Sequence, residues 1–175
     1  MRTKIPVLII LFSLTITPAF SQEKSRSELK KERKLEKQNQ TAEMVNAREF
    51  VFIGRTAQPQ GYRSVDLTSN PNFVKFQPDL IEGDMPYFGK AYSGVGYSSG
   101  DGGLKFDGVP EDYTVEKRKK NFLIKAIVKG ENDVYNIILS VGFEGGSTLS
   151  ITSNNRSQIS YIGDISAPEK PEKKE

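Results

Sequence analysis

Hydropathy along the chain falls into three regimes. Residues 5–17 form an almost unbroken apolar run behind the basic head of Arg2 and Lys4. Residues 22–48 are rich in Lys, Glu, Arg and Gln, hold no Pro or Gly, and carry only scattered apolar positions. From Phe50 the period becomes two, and it stays near two almost to the end.

The middle regime predicts one charged helix. Same-sign pairs such as Glu28 with Glu32 and Arg33 with Lys37 sit four apart, so its surface charges are not optimised for helix stability. Apolar surface gathers only at Ala42, Met44, Val45 and Ala47. That predicts a frayed, solvated helix or linker over residues 22–41 and docking of the last two turns.

The third regime predicts strands. Phe50 to Ile53 is apolar on both faces, as in a central or covered strand. Residues 62–68 alternate, and residues 72–77 form another short run, with Pro71, Pro78 and Gly83 as punctuation. Further along, residues 113–117, 122–129 and 135–141 and the runs around Leu149–Ile151 and Ile159–Tyr161 are separated by short turn signals. Five strands at such spacing read as an antiparallel meander. The fold class is mainly β: a single antiparallel sandwich or barrel of about eight or nine strands over residues 42–166, behind one charged helix. Residues 167–175, with two Pro and six charges, read as a disordered tail.

The first regime is an address. A basic head, an apolar stretch and small residues at Ala19 and Ser21 match a secretory signal over residues 1–21, with cleavage before Gln22. The run falls short of the ~20 residues that cross a bilayer, which argues against a transmembrane anchor. No cysteine is present to carry a lipid anchor. The sequence therefore predicts a periplasmic or secreted protein.

Charge changes the picture once it is divided. The whole chain carries +3, but residues 50–166 hold twelve Lys/Arg against thirteen Asp/Glu. A polyanion binder needs a cationic surplus to displace condensed counterions, so no nucleic-acid partner is expected. The absence of His and Cys excludes imidazole bases, Ser-His-Asp triads, thiolate nucleophiles, disulfides and ordinary zinc sites. Carboxylate pairs, a Ser-Lys dyad or an oxygen-ligated Ca²⁺ survive as possibilities.

A series of strings then occurs in a recognisable order. It runs Leu67-Thr68-Ser69-Asn70, Pro86-Tyr87-Phe88-Gly89-Lys90-Ala91-Tyr92, Gly102-Gly103-Leu104-Lys105-Phe106-Asp107-Gly108, Asp112-Tyr113, Val128-Lys129-Gly130 and Ile159-Ser160-Tyr161. Over about residues 42–165 the chain resembles the secreted Bacteroidota proteins grouped as domain of unknown function 4251. The resemblance implies an exported protein of that bacterial group and supplies no activity or catalytic residues.

Two constellations carry candidate chemistry. Tyr87, Phe88, Lys90, Tyr92 and Tyr97 lie among Gly89, Gly94 and Gly96, and suit a loop that stacks on a sugar ring or an apolar ligand. The bland alternative makes Tyr87 and Phe88 core plugs of a strand and leaves Tyr92 and Tyr97 at the surface. The acids Asp101, Asp107, Glu111 and Asp112 suit Ca²⁺ or a glycosidase pair, although EF-hand spacing and sugar-lining Trp are both missing. Solvated turn acids are their bland reading.

Other strings read as structure. The five Gly of residues 94–103 lead into a strand and lack the Lys-Ser/Thr of a phosphate loop. Lys117-Arg118-Lys119-Lys120 falls where a hairpin turns, and Asn154-Asn155 suits a turn with positive φ. The reading that results is an exported non-enzymatic β-domain that binds a small molecule, a glycan or an envelope protein, with no cofactor. A small carboxylate hydrolase and a structural envelope adaptor are the alternatives.

Overall fold

The structure, a computed structural model, describes residues 25–92, 102–130 and 133–168. The predicted signal, Tyr97, Asp101 and nearly all of the predicted tail lie outside the described residues.

Helix α1 (Arg26–Ala47) starts in a capping box. The Ser25 hydroxyl accepts from the Ser27 N–H, and the Glu28 carboxylate accepts from the Ser25 N–H at 2.9 Å. It ends at Arg48, in the left-handed region at φ 58, with the Arg48 N–H turned back onto the last-turn carbonyls. Lys34, Gln38, Thr41 and Val45 recur at spacings of four, three and four, so they share one helix face. Thr41 and Val45 are buried, and the Lys34 ammonium meets the Glu144 carboxylate at 3.0 Å. The first half of the helix is exposed.

Ten strands follow: β1 (Phe50–Pro59), β2 (Val65–Asp66), β3 (Phe73–Gln77), β4 (Leu80–Met85), β5 (Leu104–Gly108), β6 (Pro110–Lys117), β7 (Asn121–Lys129), β8 (Val134–Gly142), β9 (Gly146–Ser153) and β10 (Ile159–Ser166). They form one antiparallel sheet in the order β5-β4-β3-β1-β10-β9-β8-β7-β6, with β2 also on β1. The two ends of that order, β5 and β6, are separated along the chain by Val109 alone. One bent strand thus pairs with β4 through its first half and with β7 through its second, and the sheet curls into a nearly closed barrel. A Cβ added to Gly108 would meet the Lys129 carbonyl oxygen at 2.9 Å, which shows how closely β5 approaches β7.

Period-two alternation sends one set of side chains inward. Phe50, Phe52, Phe76, Ile81, Met85, Leu104, Ile124, Ile137, Leu139, Leu149 and Tyr161 are fully buried and fill the barrel. Phe50 stacks on Phe76 at 4.5 Å, and Phe106 meets Tyr135 at 4.9 Å. At Gly83 the inward position is filled from across the strand pair, because a Cβ there would run into the Phe106 ring.

Several sequence expectations need revision in detail. The run at residues 62–68 contributes only Val65–Asp66 to the sheet, while Leu80–Met85 is a full strand despite Gly83. Ile53 is outward and exposed, so the outer face of β1 is not covered there. Residues 154–158 form a loop between β9 and β10, and neither Asn takes a positive φ. Among described non-glycine residues that conformation belongs to Arg48 and Asp112.

The split partner edge of β1 explains the short β2. Phe50 to Phe52 pair with β3, Thr56 and Ala57 pair with β2, and the buried side chain of Asn72 fills the gap. Its Oδ1 accepts from the Gly54 N–H at 2.7 Å, and its Nδ2 donates to the carbonyls of Gly54 and Asn70 at 3.0 and 2.9 Å. An amide side chain thereby replaces a missing strand neighbour.

The register defines two poles. Residues 48–49, 78–79, 118–120 and 143–145 connect elements at the pole where α1 docks. Of the described residues, 60–64, 86–92, 102–103 and 154–158 lie between elements at the opposite pole.

Candidate functional site

At the pole away from the helix, β4 hands the chain to residues 86–92. The Pro86 carbonyl accepts from the Tyr161 hydroxyl at 2.8 Å. Burial pushes that Tyr161 phenol well above the ordinary tyrosine range, Tyr87 pushes in the same direction, and Arg156 opposes both. A neutral donor is therefore kept where the carbonyl needs one.

Tyr87 turns inward and packs on the core. Its hydroxyl lies 2.8 Å from the Lys90 carbonyl, 3.0 Å from the Ser157 carbonyl and 2.9 Å from the Ser157 hydroxyl. Around it the two segments pair. The Lys90 N–H donates to Ser157 Oγ at 3.1 Å, the Ser157 N–H donates to the Lys90 carbonyl at 2.9 Å, and the Tyr92 N–H donates to the Asn155 carbonyl at 2.8 Å. Ala91 and Arg156 form an antiparallel bridge between them.

Arg156 then reaches the other end of the β4–β5 connection. Its Nη1 donates to the carbonyls of Gly102 and Gly103 at 3.0 and 2.6 Å, and its guanidinium lies 5.1 Å from the centre of the Tyr87 ring. One side chain thus ties together both ends of the connection. Both hydrogen bonds leave one terminal nitrogen while the planar, delocalised cation lies over the Tyr87 ring, a combination that a compact, strongly hydrated lysine ammonium suits less well.

On this base the aromatic candidates divide. Tyr87 is an anchor with its polar atom satisfied. Phe88 is 36% exposed and Tyr92 68% exposed, and the Lys90 side chain is exposed between them. The structure corrects the expectation that Tyr87 and Phe88 plug a strand: neither lies in one, and Phe88 faces out.

The described acidic candidates, Asp107, Glu111 and Asp112, do not converge. Asp107 is exposed on β5 opposite Glu82 of β4. Glu111 pairs with the Lys129 ammonium at 2.8 Å, and this partner raises the lysine pKa. Asp112 sits exposed at the bulge of β6 with φ 52. Among the described residues no group of three or more Asp and Glu is placed to hold a metal ion. The basic run forms the β6–β7 hairpin turn. Arg118 pairs with Glu116 at 3.0 Å, and the Lys117 ammonium sits 5.9 Å from the rings of Phe122 and Phe143.

Sequence reasoning missed the partners of the loop. Ser157 and Arg156 lie 67–70 and 53–54 residues from their respective contacts in sequence, too far for local spacing to reveal. Tyr62, 54% exposed on the β1–β2 turn, was also passed over because residues 62–68 read as one strand.

The family profile described as "Domain of unknown function (DUF4251)" matches residues 32–165, from the middle of α1 to the end of β10. The chain belongs to the DUF4251 family. A crystal structure of a DUF4251 family protein from Bacteroides eggerthii is similar at 19% identity and a TM-score of 0.58. The similarity covers 75% of this chain and 87% of that one. No curated protein matches the chain. The DUF4251 match includes the Tyr87 anchor, Arg156 and Ser157, so the whole loop base lies inside the family region. Among the described residues, no helix is long and apolar enough to cross a membrane.

Proposed function

We propose that this DUF4251 protein is an exported, non-enzymatic binding domain of the bacterial envelope, and that its ligand-facing surface is the rim at the pole opposite α1. One observation carries the reading. Phe88 and Tyr92 are held outward on a backbone fixed by the Tyr87–Ser157 and Arg156–Gly103 hydrogen bonds. Pre-organised exposed aromatics lose little freedom on contact with a partner, which favours binding. The interior supports the same reading, because a barrel filled by Phe, Ile, Leu and Tyr side chains leaves the rim and outer wall for recognition. The apolar run of residues 5–17 and the missing cysteine support export without a lipid anchor.

The test is affinity capture from cells with the protein and with a Phe88→Ala, Tyr92→Ala variant, followed by mass spectrometry of bound proteins and small molecules. A partner retained by the former and lost by the latter is the expected result. Equal recovery by both would move the binding surface elsewhere.

A further inference from the structure

The rim is larger than the β4–β5 connection, and its composition names a ligand class. Pro59 at the end of β1 pairs with Ile159 at the start of β10, and Ser157 just before it binds Tyr87 and Lys90. Residues 60–64, 154–158 and 86–92 therefore adjoin in that order across the pole. Their seventeen residues hold three cations, Arg63, Lys90 and Arg156, and no acid, although residues 50–166 as a whole carry slightly more acid than base. The same arc presents Tyr62, Phe88 and Tyr92 to solvent. Arg63 and Lys90 are exposed, and neither forms an ion pair among the described residues. Among the described residues, the bordering acids Asp66 and Asp133 already accept hydrogen bonds. Asp66 accepts from the N–H and hydroxyl of Thr68, and Asp133 accepts from the N–H groups of Val134 and Asn154.

We infer that this arc binds an acidic glycan, with Tyr62 and Tyr92 against the apolar faces of sugar rings and with Arg63 and Lys90 on carboxylates. The inference rests on the rim reading above and specifies its ligand. Aromatic faces accept the C–H face of a pyranose and leave the phenol hydroxyl in water, while the two exposed cations supply charge-assisted hydrogen bonds. Competing classes fit less well. An extended peptide would add to a strand edge, and the described edge beside this arc is the two-residue β2, too short to carry one. A nucleic acid needs a cationic surplus along its path, and the neutral barrel continues the arc on every side.

The experiment is affinity electrophoresis and calorimetry of the purified protein with polygalacturonate, with neutral dextran and a single-stranded oligonucleotide as comparisons. Retention by polygalacturonate alone is expected. Tyr62→Ala and the pair Arg63→Gln, Lys90→Gln should each weaken it about tenfold, the scale of one lost contact of this kind. The pair Lys119→Gln, Lys120→Gln, the same loss of two charges at the opposite pole, should leave it unchanged. Absence of binding to polygalacturonate, equal weakening by Lys119→Gln with Lys120→Gln, or preference for the oligonucleotide each overturns the inference. A partner captured through Phe88 and Tyr92 while acidic glycans fail would leave the rim reading intact and remove only the ligand class.

Discussion

The Arg48 guanidinium lies 4.4 Å from the centre of the Tyr113 ring. Backbone in the left-handed region places both partners, at Arg48 itself where α1 ends and at Asp112 just before Tyr113. The contact joins the helix terminus to β6 of the barrel. The Tyr113 hydroxyl beyond it is buried with no hydrogen-bond partner. Tyr113→Phe keeps the ring under the cation and removes the orphaned group, so stability should hold or rise by about 1 kcal/mol. Tyr113→Ala should cost about 2–3 kcal/mol through lost packing. Urea denaturation of both variants decides; a large loss in Tyr113→Phe would mean the hydroxyl has a partner.

The same phenol predicts an alkaline limit. Burial pushes its pKa up to about 12, with Arg48 working in the opposite direction. The unfolded chain releases this proton near pH ~10 while the folded state keeps it, so stability is unaffected below pH ~10 and falls as pH rises toward 12. Tyr135 and Tyr161, also raised by burial, add to the fall. Urea midpoints measured from pH 9 to 12 should decline, and less steeply in Tyr113→Phe, by up to ~1.4 kcal/mol per pH unit. Parallel slopes would contradict the assignment.

Asn72 stands in for a strand. Asn72→Asp removes both amide N–H donors, leaving the Gly54 carbonyl without its side-chain partner in the interior and putting a carboxylate beside it. A loss of about 2–4 kcal/mol is expected, the range for breaking a buried polar network. Asn72→Ala should fall in the same range. A near-neutral result for both would show that β1 closes the gap unaided.

Arg156 holds the loop base by geometry as well as charge. Arg156→Lys keeps the cation but loses the planar guanidinium that lies over Tyr87 while its Nη1 reaches Gly102 and Gly103, so it should behave more like Arg156→Ala than like the parent. Amide exchange at Tyr92 and Ser157, whose N–H groups cross the junction, should accelerate in both variants. Protection preserved in Arg156→Lys would assign the role to charge alone.

Among the described glycines, Gly163 has the closest backbone neighbour. A Cβ there would overlap the Ile53 carbonyl beside the β1 bulge, and no flexible side chain is available to move aside. Gly163→Ala should therefore cost about 3 kcal/mol or more, in line with severe overpacking. A thermal midpoint close to the parent's would require β10 to shift outward.

The parts of the fold that were legible in the sequence are those where one strand supplies its own pattern. β7 and β8 alternate cleanly because each inward position is filled by its own side chain, as with Phe122, Ile124, Ala126 and Val128. β4 was hidden because its central inward position is Gly83, and the apolar volume there belongs to Phe106. The sandwich-or-barrel choice turned on one residue: Val109 lets β5 run on into β6, and no local signal marks a strand that changes partner. At the site, the aromatic string of residues 87–92 was visible, but its division into anchor and exposed members was not. That division depends on Ser157 and Arg156, brought in by the β10 pairing.

That pairing has a further consequence. Val51 lies opposite Ser166, so the chain enters and leaves the barrel side by side at the helix pole. Anything attached to either terminus holds the molecule by the same end and points the aromatic, cationic arc away from the attachment. A force on the two termini would also peel β1 from β10 one residue pair at a time, starting at Val51 and Ser166. The barrel would open like a zipper, with the far rim the last part to be disturbed.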